Sequence, residues 1–324
     1  MGHNEKSYTK GGLQKKNYST EDVENCKCPL CGKNDSNFIY SERGSLKIVK
    51  CKSCDLIYVN PRVKQAEKNY WGNEEIYFEE AKFIFSGKKK HHRDRNYEYE
   101  IKKIKQFKSS GELLDIGSSM GFFLRKARDA GFKVQGVEPS PSLSKIAVEQ
   151  FKLEILNQYL EKAALPEKKF DIITMIDVFE HVTNPRELLT HAKKILRDDG
   201  IICIKVPNGN YNLLKLKLAK FSGRETKHDI FDSYEHVVHY TKKTMLQTLD
   251  HSGLKIEKII IPIPIHPPVW AQRTGHYFQY PSPFAHDWKR IILRNLFYLI
   301  GKVEHFGRMK TNFAPDLMFI VRKK

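Results

Sequence analysis

Apart from Cys203, none of the six cysteines in this 324-residue chain lies outside residues 26–54. A disulfide framework spread over the whole chain is therefore excluded, and the thiol chemistry is confined to one short stretch. No window approaches the ~20 uninterrupted apolar residues that a membrane-spanning helix needs. The opening residues lack the basic start, apolar run and small-residue cleavage site of a signal peptide. The expected location is the cytoplasm, with peripheral membrane association as a further option. Met1-Gly2 invites an acylation reading, but Lys6 stands where that pattern needs Ser or Thr. Acidic charge is scarce: 38 Asp and Glu face 56 Lys and Arg, a formal net charge of +18. Residues 1–25 hold too little apolar surface to offset the entropy of ordering and are expected to stay disordered. No internal repeat is visible.

What the cysteine-rich stretch does contain is CPLCG followed by CKSC, so that Cys28, Cys31, Cys51 and Cys54 form C-x2-C-x19-C-x2-C. Two tight pairs on two turns, joined by a hairpin such as FIYSERGSLKIVK, are suited to hold a tetrahedral Zn2+ through four thiolates. A site with four protein ligands is closed, so the zinc is structural. Cys26 is a near-miss fifth ligand, and Cys203 in an apolar strand reads as an inert buried thiol.

The chain is organised around Glu112–Glu138, ELLDIGSSMGFFLRKARDAGFKVQGVE. Leu113, Leu114 and Ile116 form an apolar strand, Gly117 to Gly121 a sharp turn, Phe122 to Ala130 a helix and Lys133 to Val137 a second strand. Glu138 follows Gly117 by 21 residues, where a carboxylate accepts hydrogen bonds from both hydroxyls of a ribose. A dinucleotide fingerprint would need a glycine at Ser119 to admit a pyrophosphate. The remaining D-x-G-x-x-x-G, Asp115 to Gly121, is similar to the signature of class I S-adenosylmethionine (SAM) methyltransferases, while on this stretch alone an NAD-binding or other Rossmann start stays open.

Strands and helices then alternate to Pro207, which implies a parallel sheet. Pro139-Ser140-Pro141-Ser142 opens a helix, Leu153–Leu156 is a third strand followed by Asn157, Gln158 and Tyr159, and a fourth strand ends at Asp177. That strand delivers Val178, Phe179, Glu180 and His181 over the crevice at the carboxyl ends of the strands. LLTHAKKILRDDG is its helix, stopped by Gly200, and IICIKVPN is a fifth strand. Lys255–Pro262 and Asp316–Val321 are the sixth and seventh. Leucine- and lysine-rich YNLLKLKLAKFSGRETKH should form a helical insertion over the crevice, and WKRIILRNLFYLIGKV, Trp288 to Val303, a core or dimer-packing helix, with an interfacial helix as the alternative. Neither an N-P-P-Y-type motif nor a cysteine follows the fourth strand, which weakens amine methylation and covalent pyrimidine chemistry.

FDIITMIDVFEHVTNPRELLTHAKKILRDDGIICIKVPN carries D-x-x-E-H followed by N-P, and EHVVHYTKKTMLQTLDHSGL is a histidine-rich helix entry. With the cysteine motif, the chain after residue 26 resembles zinc-ribbon class I methyltransferases related to sugar C-methyltransferases and to enzymes that O-methylate quinones and polysaccharides. The resemblance implies an α/β fold, a Rossmann-like seven-stranded doubly wound sheet with a small N-terminal zinc ribbon. The expected organisation is a tail at 1–25, a ribbon at 26–60, a helical linker or cap at 61–110, and a methyltransferase domain at 111–324 with insertions at 208–235 and 263–314. SAM is expected against Asp115, Gly117, Ser118, Ser119, Gly121, Phe122, Glu138, Pro139, Gln158, Tyr159, Asp177 and Val178, with both serines bonding its amino-acid tail. His181 and His239 are the candidate bases, and Tyr70, Trp71 and Tyr77 candidate pocket residues. The implied activity is methyl transfer to O or C of a small-molecule, sugar, nucleotide-sugar or lipid-linked glycan acceptor, with RNA methylation as the alternative.

Charge is uneven along the chain. Residues 111–207 hold 14 basic and 14 acidic side chains, whereas 82–108 carry +7, 208–228 carry +4 and 284–324 carry +6. These basic segments point to an anionic acceptor, an anionic lipid surface or, less readily, nucleic acid. Lys215, Lys217 and Lys220 are the expected acceptor-side cations.

Overall fold

The computed structural model describes residues 17–64, 81–82, 84–86, 91–223, 229–264, 284–307 and 312–324. Tyr70, Trp71 and Tyr77 lie outside the described residues.

The chain first builds two matching knuckles. In each, the carbonyl of the leading cysteine accepts a bond from the residue after the second: Gly32 N to Cys28 O at 2.9 Å, Asp55 N to Cys51 O at 3.0 Å. Gly32 and Asp55 both take positive φ, 74° and 64°, which turns the chain tightly enough to bring the paired thiols to one side. After β1 (Val23–Glu24), strands β2 (Ser36–Glu42) and β3 (Leu46–Cys51) form the hairpin between the knuckles, β4 (Ile57–Val59) joins β3, and β5 (Arg62–Val63) pairs back with β1. The tail expected to be disordered is therefore ordered from Tyr18 onward. Tyr18 N bonds Arg43 O at 2.9 Å, and its ring is buried with Leu46, Val59 and Val63. That apolar contact is what the polar composition of residues 1–25 hid.

The larger part runs through α1 (Asp94–Ile104), β6 (Glu112–Ile116), α2 (Phe122–Asp129), β7 (Lys133–Val137), α3 (Pro141–Phe151), β8 (Ile155–Leu156) and β9 (Phe170–Ile176). It continues with α4 (Pro185–Ile195), β10 (Leu196–Pro207), α5 (Gly209–Phe221), β11 (Val238–His239), α6 (Lys242–His251), β12 (Leu254–Ile260), α7 (Phe284–Phe306) and β13 (Asp316–Lys323). Seven strands form one sheet in the order β12-β13-β10-β9-β6-β7-β8. β8, β7, β6, β9 and β10 are mutually parallel, and β13 inserts antiparallel between β10 and β12. The order reverses between β6 and β9, which opens a crevice there.

The pleat decides which side chains meet. On β6, Leu113 faces α1 and α2, while Leu114 and Ile116 face the opposite layer. On β10, Ile201 and Cys203 share the side of Leu113, and Ile202, Ile204 and Val206 share that of Leu114. α4 ends at Ile195, five residues before the expected stop at Gly200, because Leu196 already pairs with Phe170 of β9.

The ribbon does not stand apart at residues 26–60. β11 adds to its sheet beside β4, with Val238 opposite Tyr58 and His239 opposite Ile57. Leu30, Val49, Leu56 and Tyr58 share one apolar core with Leu114, Val238, Tyr240 and Met245. Glu42 at the end of β2 accepts main-chain bonds from Ile230 (2.7 Å), Phe231 (2.8 Å) and Ser233 (3.0 Å). Beside it the Arg43 guanidinium pairs with Asp229 at 2.9 Å and lies over the Tyr234 ring.

Candidate active site

At the switch point, the turn after β6 is shaped by three residues with positive φ: Gly117 (72°), Ser119 (49°) and Gly121 (78°). A Cβ on Gly117 would lie 2.6 Å from Val178 Cγ2, and one on Gly121 2.5 Å from Leu153 Cδ1. Val178 thus seats against the turn from across the crevice, and both glycines are required by protein packing as well as by backbone conformation. Glu138, buried at the end of β7, bridges the two loops at the crevice mouth. Its Oε2 accepts from Ser119 N at 2.8 Å and its Oε1 from Ser140 N at 2.9 Å. A carboxylate oxygen has two lone pairs and can take more than one donor. Leu156 O receives both Glu138 N (3.0 Å) and Gln158 N (2.9 Å), which holds Gln158, Tyr159 and half-buried Pro139 together at this strand end.

Two expected cofactor contacts are placed otherwise. Ser118 is buried with its Oγ turned onto β7, where a Cβ on Gly136 would lie 2.6 Å away, and the hydroxyl has no hydrogen-bond partner among the described residues. It is turned away from the crevice, whereas Ser119 reaches Glu138 through its backbone N–H. Phe122 stacks under His91 (centroids 4.4 Å apart) and Phe85 (5.9 Å), and so packs the cap onto the start of α2.

Behind the turn lies a buried charge cluster with no counterpart in the sequence reading. Lys205, 0% exposed, continues the Ile201–Cys203 face of β10 and so points toward α1. Its Nζ lies 3.2 Å from Glu100 Oε1 and 3.0 Å from Asp177 Oδ2. Asp177, itself at φ 54°, also pairs with Arg93 at the start of α1. Burial alone would raise the Asp177 carboxyl, but Arg93 and Lys205 outweigh it and hold that group well below its usual range. Burial would likewise lower Lys205, and Asp177 and Glu100 instead hold it above. The expected cofactor contact Asp177 is therefore first a structural ion-pair partner.

Asp115 sits on the same face, its Oδ1 accepting from Thr174 Oγ1 at 2.6 Å. Burial, opposed by that hydrogen bond and reinforced by the charges of Glu100 and Glu138, pushes it from 3.8 to about 7. The folded state then keeps a proton between those values that the unfolded chain has released, so stability falls as pH rises from about 4 to 7. Asp115→Asn should remove that slope, matching the wild type near pH 4 and exceeding it at pH 8 by on the order of 1–3 kcal/mol. Urea unfolding of both proteins at the two pH values measures this, and equal differences at both would refute the assignment.

On the other side of the crevice mouth three histidines follow one another. His181 and His236 rings are 4.8 Å apart, and His236 and His239 rings 6.4 Å. His181 Nδ1 lies 3.0 Å from Glu235 O, and its Nε2 3.9 Å from Glu180 Oε1. The Nδ1 proton therefore belongs on the carbonyl, which leaves Nε2 as the acceptor. Burial, then His236, lowers His181 to about 3, and burial lowers His236 to about 4, so both are neutral at physiological pH. Buried Glu180 is pushed well above 4.5 by burial and by Asp177, and its carboxyl has no hydrogen-bond partner among the described residues. Glu180, His181 and His236 offer three donor atoms within 4.8 Å. The candidate base His239 is the innermost of the row, held in β11 against the ring of Phe231. His236 is brought to His181 by the main-chain bond from Val237 N to Glu180 O (3.0 Å) and by the β11–β4 pairing, neither of which sequence spacing reveals.

Lys215 is not a surface cation: its Nζ donates to Ile230 O at 2.9 Å, and burial lowers its pKa. Lys217 and Lys220 are exposed. In the ribbon the Sγ atoms of Cys28, Cys31, Cys51 and Cys54 all lie within 4.8 Å of one another, and none is in a disulfide. Cys26 stands outside that group, its Sγ 3.5 Å from Val59 O.

A doubly wound seven-stranded sheet with one reversed strand, and an acid closing the second strand beside a glycine turn, is the arrangement of class I methyltransferases. A family model described as a methyltransferase domain matches residues 90–259, just over half of the chain, and the chain belongs to that family. Among curated proteins it is similar to the ubiquinone biosynthesis O-methyltransferase of Glaesserella parasuis, 28% identical over 107 residues that cover 30% of this chain and 45% of that one. The enzyme of the same name from Rhodopseudomonas palustris strain BisA53 is 24% identical over 153 residues, 44% of this chain and 60% of that one. The chain thus spans about half the length of the curated relatives it matches. A solved SAM-dependent methyltransferase from Thermotoga maritima, described as a possible histamine N-methyltransferase, aligns at 17% identity and TM-score 0.48 over 78% of this chain and 98% of that one.

Proposed function

We propose that the chain binds SAM at the β6–β9 switch point and transfers its methyl group to a hydroxyl of a small-molecule acceptor. The observation that carries this is Glu138, a carboxylate spanning the glycine turn and the start of α3, where it can also accept the two hydroxyls of a ribose. The residues fit the cofactor: Ser119 in place of a second glycine suits a ligand without phosphate, and Gly117 and Gly121 keep the turn free of side chains. When bound, SAM supplies a methyl group on a sulfonium, lost by in-line displacement.

His181 then faces the acceptor as a neutral imidazole whose Nδ1–H is anchored on Glu235 O. A hydroxyl becomes far more acidic as its oxygen takes on the methyl group, so even a weak base suffices to remove its proton. His236 and His239 back this position, and Glu42 and β4 hold the segment that carries them. Oxygen is favoured over carbon by the O-methylating relatives, and acceptors range from hydroxylated rings to sugars, nucleotide-sugars and lipid-linked glycans. The same reading gives the four ribbon cysteines a structural Zn2+.

The test is calorimetry with SAM. Glu138→Ala should weaken binding by about 1.5–3 kcal/mol, the loss of a charge-assisted pair, with the melting temperature recorded as a control for the bridge between Ser119 and Ser140. Unchanged affinity in a folded variant would remove Glu138 from the ribose site. Labelled SAM offered with hydroxylated rings, sugar nucleotides and structured RNA separates the acceptors, and efficient turnover of RNA alone would replace the small-molecule reading.

A further inference from the structure

α7 runs for 23 residues and shows two unlike faces. The inner face is fitted to the domain: the Phe297 ring lies 5.5 Å from Tyr211 of α5 and 5.8 Å from Phe313, and a Cβ on Gly301 would meet Ala314 N at 2.6 Å. Glu304 Oε2 accepts from Phe313 N at 3.0 Å. On the outer face Ile292, Leu293, Leu296, Leu299, Val303 and Phe306 are exposed, Val303 by 68% and Phe306 by 92%. Positions 292, 296, 299, 303 and 306 alternate steps of four and three, so these side chains form one continuous stripe along the helix. Single exposed leucines are ordinary on a protein surface, whereas a contiguous stripe marks a contact. The neighbouring α5 exposes Leu218 and, by 94%, Phe221, beside exposed Lys217 and Lys220.

We propose that the outer face of α7 docks peripherally on an anionic lipid bilayer. Charge selects this occupant. Residues 284–324 hold nine basic and three acidic residues; of the acids, Glu304 is turned inward to Phe313 N and Asp316 is buried. Exposed Lys302 borders the stripe. A second copy of the chain, also at +18, would set like charge against like charge, and two of the three acids in 284–324 face inward. An anionic surface instead matches the basic flanks while the apolar stripe enters the headgroup boundary. The helix lies on the bilayer rather than through it: among the described residues no helix is long and apolar enough to cross a membrane. Docking through this face does not depend on which acceptor the crevice takes.

The full chain is sedimented with vesicles of phosphatidylcholine alone and of phosphatidylcholine mixed with phosphatidylglycerol, at low and high salt, with SAM binding measured in parallel. Binding should be confined largely to the phosphatidylglycerol vesicles and weaken as salt screens the basic flanks. Leu296→Ser, Leu299→Ser and Val303→Ser combined should cut it about tenfold or more, because three exposed apolar anchors are lost, while SAM affinity stays unchanged. Absence of binding to the anionic vesicles, equal binding by the triple variant, or a wild-type dimer that the triple variant splits into monomers would overturn the proposal, the last by assigning the stripe to a second copy.

Discussion

Replacing Lys205 by methionine should lower the unfolding free energy by about 3–5 kcal/mol, because removing one partner of a buried pair strands the other. The side chain is fully enclosed, and the residue it leaves behind, Glu100, is buried at 1% side-chain exposure with Lys205 as its nearest cation. Asp177 keeps Arg93 and suffers less. Exchanging Lys205→Met and Glu100→Gln together should recover much of the loss, since neither ion then remains to be solvated. Asp177 has its folded pKa depressed, so its share of the stability is present above the unfolded value of 3.8 and is lost only as pH falls below it. Urea midpoints of the two single variants and the double variant, taken at neutral pH, close the cycle. A Lys205→Met protein as stable as the wild type would show that the cluster is not held together by this charge.

Stripping the proposed zinc from the ribbon should have a still wider reach. Apparent free energies of structural zinc sites are about 10–16 kcal/mol in small peptides, so the four-cysteine site is expected to carry much of the ribbon's stability. Here the ribbon shares an apolar core with Val238, Tyr240 and Met245, and through Glu42 it holds Ile230 to Ser233. Chelation should therefore speed amide exchange in residues 17–64 and 229–241 together rather than in the ribbon alone, while β6, β9 and β10 stay protected. Methyl transfer should fall with it, since His236 and His239 lose their support, and SAM affinity should change far less. Cys51→Ser is expected to reproduce this and to abolish the bound zinc. A chelated protein with full turnover would separate the ribbon from the histidine row.

The central sheet was legible in the sequence because its strands announce themselves locally: ELLDI and FDIITMI are apolar runs that only a covered sheet accommodates, and the cysteine spacing fixes the ribbon by geometry. What escaped was set by distant partners. Lys205 sits in IICIKVPN, which reads as an uninterrupted buried strand, and a buried lysine there becomes tolerable only once Glu100, about a hundred residues earlier, is brought opposite. The two-residue strand Val238–His239 has no periodicity of its own and exists because β4 offers it an edge. Ser118 and Ser119 are chemically alike, and only the positive φ of Ser119 sends one hydroxyl inward and the other backbone N–H to Glu138. The turn after β6 was thus readable as a pattern of residue types, whereas the orientation of each side chain within it was not.

The bonds from Ile230 and Phe231 to Glu42 span 188 and 189 positions of the chain. During synthesis the ribbon therefore emerges first and can close locally, yet its last edge waits unpaired until most of the protein has been made. Closing so large a loop is slow and entropically costly, and it comes after the local turns and hairpins have formed. The histidine row is completed by that same closure. A nascent chain can thus pair its ribbon with β11 before its central sheet is complete, because β13 (Asp316–Lys323), which inserts between β10 and β12, is made last.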